Sequence, residues 1–243
     1  MFKTEMIPEL KLSNRLAAAA EMCGEGSVAD IGTDHALLPI KLVLDGHPCA
    51  AACDIREGPC ERARRNIEKF GLGDKIKVFC RPGLDRIEDF APDNIFICGM
   101  GGEMIASILG ASDYPKKSRC RLILQPQSMQ DVLRRYLCSN GFSMNRESVV
   151  YDSGKYYQLI SAEYDGIGRE LNGIEQRLGR LNLERARREL SPVDKGWLNF
   201  VLNAAKRRID GRKNAISSAD DPVDTAMTDE IEKILGGRKN ADN

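Results

Sequence analysis

The sequence lacks the features that mark a metal centre, a disulfide framework or a membrane protein. Its 243 residues include eight cysteines but no C-x-x-C pair and no zinc spacing, so we expect reduced thiols and no bound metal. No apolar run is long enough to cross a bilayer, and the N-terminus has no signal-peptide segment. The formal net charge is zero, so total charge indicates no nucleic-acid partner. These absences favour a soluble, cytoplasmic protein without a membrane partner.

From Ser13 to Tyr164, short apolar runs alternate with amphipathic segments. The runs predict strands over 27–32, 49–55, 75–81, 94–100 and 121–126, with helices between them. Residues 143–164 predict two further strands around the turn Asp152-Ser153-Gly154, which makes an antiparallel hairpin. The pattern predicts an α/β fold: a Rossmann-like methyltransferase sheet, mostly parallel, with an antiparallel edge hairpin.

The character of the chain changes after Asp165, which predicts two domains, 1–164 and 165–243. The second domain is predicted to be helical and coiled-coil-like. Apolar residues follow heptad spacing at Leu171, Ile174, Leu178 and Leu181. A second helix is predicted to begin at Ser191-Pro192 and to form an antiparallel hairpin with the first, and a short last helix is capped by Asp221.

The zero net charge hides an asymmetry within this second domain. Residues 169–213 contain twelve Lys or Arg against six Asp or Glu, whereas residues 214–243 contain three against seven. The basic segment is either a solvated helix face or a surface that contacts RNA phosphates. The heptad residues are either a core or a helix-pairing stripe.

The stretch VADIGTDHALLPI, residues 28–40, is the most informative turn. Ligands of an open α/β sheet bind at the carboxyl ends of the strands, where Asp30 and Asp54 end the first two strands. Gly32 allows close backbone approach, and Asp54 is placed to accept both hydroxyls of a ribose. A dinucleotide site needs a three-glycine turn, and Asp30 and Asp34 would repel its pyrophosphate. A ligand with a cationic end and a ribose, such as S-adenosylmethionine, fits better.

Each of these residues also has a structural interpretation. Asp34 is a candidate N-cap for the helix near Ala36, and His35 a candidate structural histidine. The glycines of GMGG, residues 99–102, suit a tight turn as well as close approach to a flat base or a methionine tail. Gln125 in QPQ is either a plain strand end or a residue that reads a base edge.

The motifs together resemble the bacterial tRNA (adenine(22)-N1)-methyltransferase family of class I S-adenosylmethionine-dependent enzymes. The similarity runs from about Leu12 to Tyr164 through RLAAAAEMC, VADIGTDHALLPIKLV, ACDIREGPCERARRNI, GLGDKIKV, GLDRI, ICGMGGEMIASIL, LILQPQ and GKYYQLISAEY. The family combines a Rossmann-like cofactor domain with a helical, coiled-coil-like domain. Two positions depart from its pattern, Pro82 in place of an acid and Leu37 in place of an aromatic.

The resemblance implies a set of cofactor residues. The methionine end is assigned to Asp30, Gly32, Thr33, Asp34 and His35. The ribose and adenine are assigned to Asp54 and Ile55, with Gly83 and Leu84 in the third-strand loop. The floor between cofactor and target base is assigned to Gly99, Met100, Gly101 and Gly102.

The resemblance also implies the reaction and the partner. The expected activity is methyl transfer from S-adenosylmethionine to N1 of adenine 22 in tRNA, by a monomer. Asp34 is expected to accept a hydrogen bond from the exocyclic amine of the target base, and Gln125 to read its edge. Three alternatives remain open: a methyltransferase for another substrate, a cofactor-binding protein without activity, and a nicotinamide-dependent Rossmann enzyme.

Overall fold

A seven-stranded sheet forms the centre of the chain, whose computed structural model describes residues 10–213 and 221–237. The strands are β1 Val28–Ile31, β2 Ala50–Asp54, β3 Ile76–Cys80, β4 Asn94–Met100, β5 Arg121–Pro126, β6 Phe142–Asp152 and β7 Lys155–Tyr164. Their order is β3-β2-β1-β4-β5-β7-β6. The first five strands are parallel, and β7 runs antiparallel to both β5 and β6. The predicted fold class, including the antiparallel edge, is confirmed.

Helices cover both faces of this sheet because neighbouring strand residues alternate between two cores. Ala29 of β1 packs in one core, against α4 (Gly102–Gly110) and α6 (Gln130–Ser139). Val28 packs in the other, against α1 (Asn14–Ala20), α2 (Leu37–Leu44) and α3 (Glu57–Lys69). This is the period-two burial expected of a strand.

Two short elements between these strands and helices were not predicted. A 3-10 turn spans Ile87–Asp89, and α5 spans Tyr114–Ser118. Both are too short to show a helical period in the sequence.

The helical region differs from the prediction in where its first helix breaks. It consists of α7 Gly173–Leu178, α8 Arg180–Arg188, α9 Pro192–Lys213 and α10 Pro222–Gly236. The prediction of one continuous helix through the heptad residues is wrong. Leu171 precedes α7, and Gly179, with φ of 87°, separates Leu178 from Leu181. A side chain at Gly179 would collide with the carboxylate of Glu147, so the break lets the chain pass closely over the sheet.

The predicted helical hairpin exists, but a different pair of helices forms it. The helix α9 packs antiparallel to α10 rather than to the segment before it, around Leu198, Ala205, Met227 and Ile231. The predicted helix start at Ser191 is confirmed, because its Oγ accepts a hydrogen bond from the backbone N–H of Asp194 at 3.1 Å. The Asp221 cap is confirmed likewise, since its Oδ1 accepts from Val223 N at 3.0 Å.

A buried ion pair fixes the helical region to the sheet. Arg134 of α6 and Glu147 of β6 are completely buried, and Arg134 Nε donates to Glu147 Oε1 at 2.7 Å. Arg134 Nη1 donates to the carbonyl of Gln176, and Glu147 Oε2 accepts from the N–H of Leu181. The helices α8 and α9 also contact β6. Residues on both sides of position 164 contribute to this buried ion pair and its hydrogen bonds. The division of the chain into two domains at that position stays a prediction.

In the two described ranges, no helix combines the length and apolarity needed to cross a bilayer.

Candidate active site

A cleft of about 670 Å³ opens at the carboxyl ends of β1, β2 and β4. Strands β1 and β4 are neighbours, and the chain proceeds from them toward opposite edges of the sheet, so the cleft lies at the topological switch point. Of the sequence-predicted residues, the structure places these along it: Gly32, Asp34, Asp54, Ile55, Gly83, Gly99, Met100 and Gly101. A smaller adjoining hollow of about 200 Å³ contains Asp30, Thr33 and His35 and shares Gly32 and Asp34 with the cleft.

Two buried carboxylates stand at the ends of adjacent strands. Asp54 accepts a hydrogen bond from the backbone N–H of Arg56 through Oδ1, at 2.9 Å. Asp30 is 8% exposed, and its burial raises the pKa of this carboxyl from 3.8 to about 6, with the charge of Asp54 adding to the rise and Arg15 opposing it. A ligand that brings an ammonium or a hydroxyl donor here would offset the free-energy cost of burying the ionised Asp30 carboxylate.

The turn between β1 and α2 holds Asp34 at the mouth of the cleft. The N-cap position of α2 is Ala36, and no side chain caps this helix, so the interpretation of Asp34 as an N-cap is wrong. Asp34 is instead 54% exposed and accepts a hydrogen bond from Arg62 Nη2 at 2.6 Å, which lowers the pKa of its carboxyl. His35 Nε2 lies 3.3 Å from the same carboxylate and is half exposed, unlike a buried structural histidine.

Left-handed backbone shapes this turn. Asp34 and Ala36 have φ of 45° and 55°, and Gly32 has φ of 82°. Non-glycine residues adopt such values at a cost of roughly 1–2 kcal/mol each, and strain of this kind concentrates at functional sites. A side chain at Gly32 would collide with the Cε of Met100 across the cleft.

The glycines of residues 99–102 divide into two roles. Gly99, with φ of 83°, and Gly101 line the cleft. Gly102 starts α4 behind the cleft, and a Cβ there would collide with the backbone carbonyl of Met129. Gly102 therefore serves helix packing, whereas Gly101, at φ of −66°, has ordinary backbone, and a Cβ there would meet only the Oγ of Ser128, at 3.3 Å.

Besides Gly102, two predicted site residues are not brought to the cleft surface. Leu84 is buried in the core beneath the third-strand loop. Gln125 is completely buried: its Oε1 accepts from Arg15 Nη1 at 3.0 Å, and its Nε2 donates to the carbonyl of Pro126. Gln125 thus contacts the site through Arg15.

Several residues of the site were missed in the sequence. Arg15 of α1 reaches the smaller hollow, and Arg62 of α3 binds Asp34. Arg81 lies 4.3 Å over the ring of Phe79 and lines the cleft beside Gly83. Their partners lie far along the chain or on other elements, so local patterns give little signal, although Arg15 and Arg62 fall in two of the quoted motifs, RLAAAAEMC and ACDIREGPCERARRNI.

The cleft residues fit S-adenosylmethionine. Ile55 and Met104 are more than half exposed and line it together with Ile108, which gives apolar walls for a flat base. The buried Oγ1 of Thr33 has no partner at full hydrogen-bonding distance among the described residues, yet it lies near enough to the Asp30 carboxylate to lower the pKa of that group, so the two side chains offer neighbouring polar atoms to a ligand. No cluster of potential metal ligands occurs in the described part of the chain.

The basic segment 169–213 is largely neutralised by the protein itself. Eight of its cations form ion pairs: Arg169, Arg177, Arg180, Arg185, Arg187, Lys206, Arg208 and Arg212. Four of the partner carboxylates come from the acidic end of the chain, at Asp221, Asp224, Glu230 and Glu232. The local positive excess is therefore mostly bound within the helical region.

The parallel sheet with its antiparallel edge, the acid ending β2 and the glycine-lined cleft at the switch point define a methyltransferase of the Rossmann-like class. A family model described as a methyltransferase domain matches residues 12–160. The chain is 40% identical over 168 residues to the tRNA (adenine(22)-N(1))-methyltransferase of Bacillus subtilis, covering 65% of this chain and 71% of that protein. The chain belongs to the tRNA (adenine(22)-N1)-methyltransferase family.

Solved structures agree with this assignment. Streptococcus pneumoniae Sp1610 in complex with S-adenosyl-L-methionine is 31% identical with a TM-score of 0.78, covering 93% of this chain and all of that one. The B. subtilis m1A22 tRNA methyltransferase TrmK is 30% identical with a TM-score of 0.72, covering 94% and 97%. M. capricolum TrmK, solved with S-adenosyl-homocysteine, is 26% identical with a TM-score of 0.73, covering 93% of this chain and 97% of that one.

Proposed function

We propose that the chain transfers a methyl group from S-adenosylmethionine to N1 of adenine 22 in tRNA. The observation that carries this proposal is the cleft at the switch point, with Asp30 and Asp54 on adjacent strands, in a member of this enzyme family. A nicotinamide cofactor does not suit the cleft, because two acids flank the turn where its pyrophosphate would lie.

The cofactor is held by groups that match its parts. Asp54 binds the ribose diol through the carboxylate that ends β2. Asp30 and Thr33 bind the methionine ammonium in the smaller hollow, and Ile55 packs on the adenine. The bound cofactor supplies an electrophilic methyl group on a sulfonium.

The protein's contribution to the reaction is alignment and exclusion of water. Adenine N1 is neutral and has a lone pair, so no strong base is needed; correct placement alone contributes roughly 7–11 kcal/mol to lowering the barrier. N1 lies on the Watson–Crick edge, so a paired target must be opened. Asp34 accepts the exocyclic N–H of the target base, and its negative charge stabilises the positive charge that methylation places on the ring. Arg62 keeps this carboxyl ionised.

Gln125 has a different role from the one expected. Its amide is occupied by Arg15 and Pro126, so we propose that it positions the Arg15 guanidinium beside Asp30 rather than reading the base. A Gln125→Leu variant is then expected to weaken cofactor binding without changing base preference.

The proposal is tested by transfer of labelled methyl from S-adenosylmethionine to unmodified tRNA, followed by mass spectrometry of nuclease fragments. We expect one N1-methyladenosine per tRNA, at position 22, and none in a tRNA with guanosine at that position. Asp34→Asn is expected to lower kcat more than it raises KM for tRNA, because the carboxylate acts where charge develops. Methylation elsewhere, or none in tRNA, would overturn the assignment. The tRNA partner follows from this proposal, and the monomeric state and cytoplasmic location stay predictions.

A further inference from the structure

An exposed row of aromatic rings lies where the tip of the β6–β7 hairpin meets α9. Tyr151 is paired across the strands with Tyr156, with ring centroids 4.9 Å apart, and the Tyr156 ring lies 5.8 Å from that of Phe200. Tyr151 is 48% exposed and Phe200 57% exposed. Contiguous exposed rings mark interaction sites more often than scattered ones do. We call Tyr151, Tyr156 and Phe200 the aromatic row.

The backbone of α9 is adapted to this row. Gly196 lies within the helix, where glycine costs about 1 kcal/mol relative to alanine. A Cβ at Gly196 would collide with the hydroxyl of Tyr156, so the glycine lets that ring lie against the helix. Phe200 follows one turn later on the same face. The row is therefore held in place between two rigid elements.

The charges around the aromatic row suit a polyanion. Arg207 is exposed and lies two turns beyond Phe200 on the same face of α9. Lys155 and Lys195 are exposed and adjacent in sequence to Tyr156 and Gly196. The single carboxylate in residues 192–209, that of Asp194, is buried and bound to Arg185. The rings are thus flanked by cations, and the nearest exposed acid along α9, Asp210, lies ten residues beyond Phe200.

The aromatic row also adjoins the proposed active site. Asn14 Nδ2 donates to the carbonyl of Tyr151 at 3.3 Å. The next residue, Arg15, bonds to Gln125 and lines the hollow that contains Asp30. The hairpin that carries Tyr151 is therefore held directly against the helix that lines the hollow.

We propose that the aromatic row is a stacking platform for an unpaired base of the tRNA substrate; the inference rests on the proposed function and adds a second recognition surface to it. Unpaired bases stack on exposed aromatic rings, and every base has a π-face, so no particular sequence is required. A second copy of this chain is a poorer occupant, because a two-fold interface would bring the same cations face to face.

The test compares ring removal with charge removal. Variants Phe200→Leu and Tyr151→Leu keep an apolar side chain but lose the ring, Tyr151→Phe keeps the ring, and Arg207→Gln removes one charge. The dissociation constant for unmodified tRNA is measured by fluorescence anisotropy over a series of salt concentrations. We expect each ring removal to weaken binding at least about fivefold at every salt concentration, with an unchanged salt slope. Arg207→Gln should flatten the slope by about 0.7–0.9, and Tyr151→Phe should bind as wild type.

The outcomes separate this inference from the proposed function. Wild-type methylation of tRNA together with unchanged affinity of both ring-removal variants would overturn the platform and leave the proposed function standing. Failure of the wild type to bind or methylate tRNA would overturn both. Sedimentation of a dimer that Phe200→Leu dissociates, at unchanged tRNA affinity, would make the row a self-association surface instead. Calorimetry with S-adenosylhomocysteine should be unchanged in every variant, which verifies the fold.

Discussion

Replacing Asp30 by asparagine is expected to stabilise the free protein while weakening cofactor binding. Asp30 is buried, and its burial raises the pKa of the carboxyl to about 6 from an ordinary 3.8. The ionised carboxylate is therefore costly to the folded state in the absence of ligand. Asparagine has nearly the same shape and no charge, so it removes this cost and also removes the charge that would attract the methionine ammonium.

The magnitude and its pH dependence follow from the two pKa values. Between about pH 4 and 6 the folded state holds the Asp30 proton more tightly than the unfolded chain does, so wild-type stability falls as pH rises through this range. Above pH 6 the folded wild-type protein carries the full free-energy cost of the ionised Asp30 carboxylate. Two pKa units at about 1.4 kcal/mol each give an upper limit of about 3 kcal/mol at neutral pH. Near pH 4 the advantage of Asp30→Asn should vanish, because the wild-type residue is then protonated in the folded state.

The assay is urea denaturation of both proteins from pH 4 to 8, with S-adenosylhomocysteine calorimetry at pH 7.5. We expect a stability difference that grows with pH, and at least tenfold weaker ligand binding, because a charge-assisted hydrogen bond contributes about 1.5–3 kcal/mol. Asp54→Asn is the matched control: the fold already bonds that carboxylate to Arg56 N, so asparagine should weaken ligand binding without stabilising the free protein. A stability difference between the wild type and Asp30→Asn that does not change with pH would refute the reasoning.

Four further substitutions test other parts of the structure. Asp54→Ala should weaken S-adenosylhomocysteine binding more than tenfold in calorimetry, because the ribose diol loses a charged acceptor; unchanged affinity would contradict this assignment. Gly101→Val should abolish methyl transfer with little change in melting temperature, whereas Gly102→Val should lower the melting temperature, because only the second meets a backbone carbonyl; equal melting losses would contradict the division. Glu147→Gln should lower the free energy of unfolding, measured by urea denaturation, by about 3–5 kcal/mol, because it leaves Arg134 buried without its counter-charge. A decrease of less than about 1 kcal/mol would contradict the claim that this ion pair fixes the helical region to the sheet.

Period and turn chemistry were enough to predict the sheet region. The five parallel strands, the hairpin around Ser153 and the helices between them came from local apolar runs and turn residues, and the structure confirms them. The helical region was harder because heptad spacing is insensitive to one residue in an unusual conformation. Gly179 breaks the predicted helix so that the chain can pass over Glu147, and that contact joins residues far apart in sequence. The choice of α10 as the partner of α9 has the same long-range origin.

The candidate site divides in the same way. The acids and glycines at the strand ends were found because parallel strands bring their carboxyl ends to one edge. Arg15 was missed because a lone arginine in a short helix gives no pattern, and the burial of Gln125 could not be predicted because it depends on β5 lying beside that helix. The alternative roles of Asp34 needed the structure, which shows its side chain bound to Arg62 rather than to the end of α2.

The charge pairing in the helical region changes how RNA recognition should be understood. A segment with twelve cations predicts a steep salt dependence, since each phosphate contact adds roughly −0.7 to −0.9 to the slope. Eight of those cations already pair with carboxylates, and opening such a pair for a phosphate would forfeit the existing bond. Lys195 and Arg207 are exposed and stand outside these pairs, so they are available at low cost. Binding should therefore have a shallow slope of a few contacts, and most of its specificity must come from shape, from stacking and from the base admitted to the cleft.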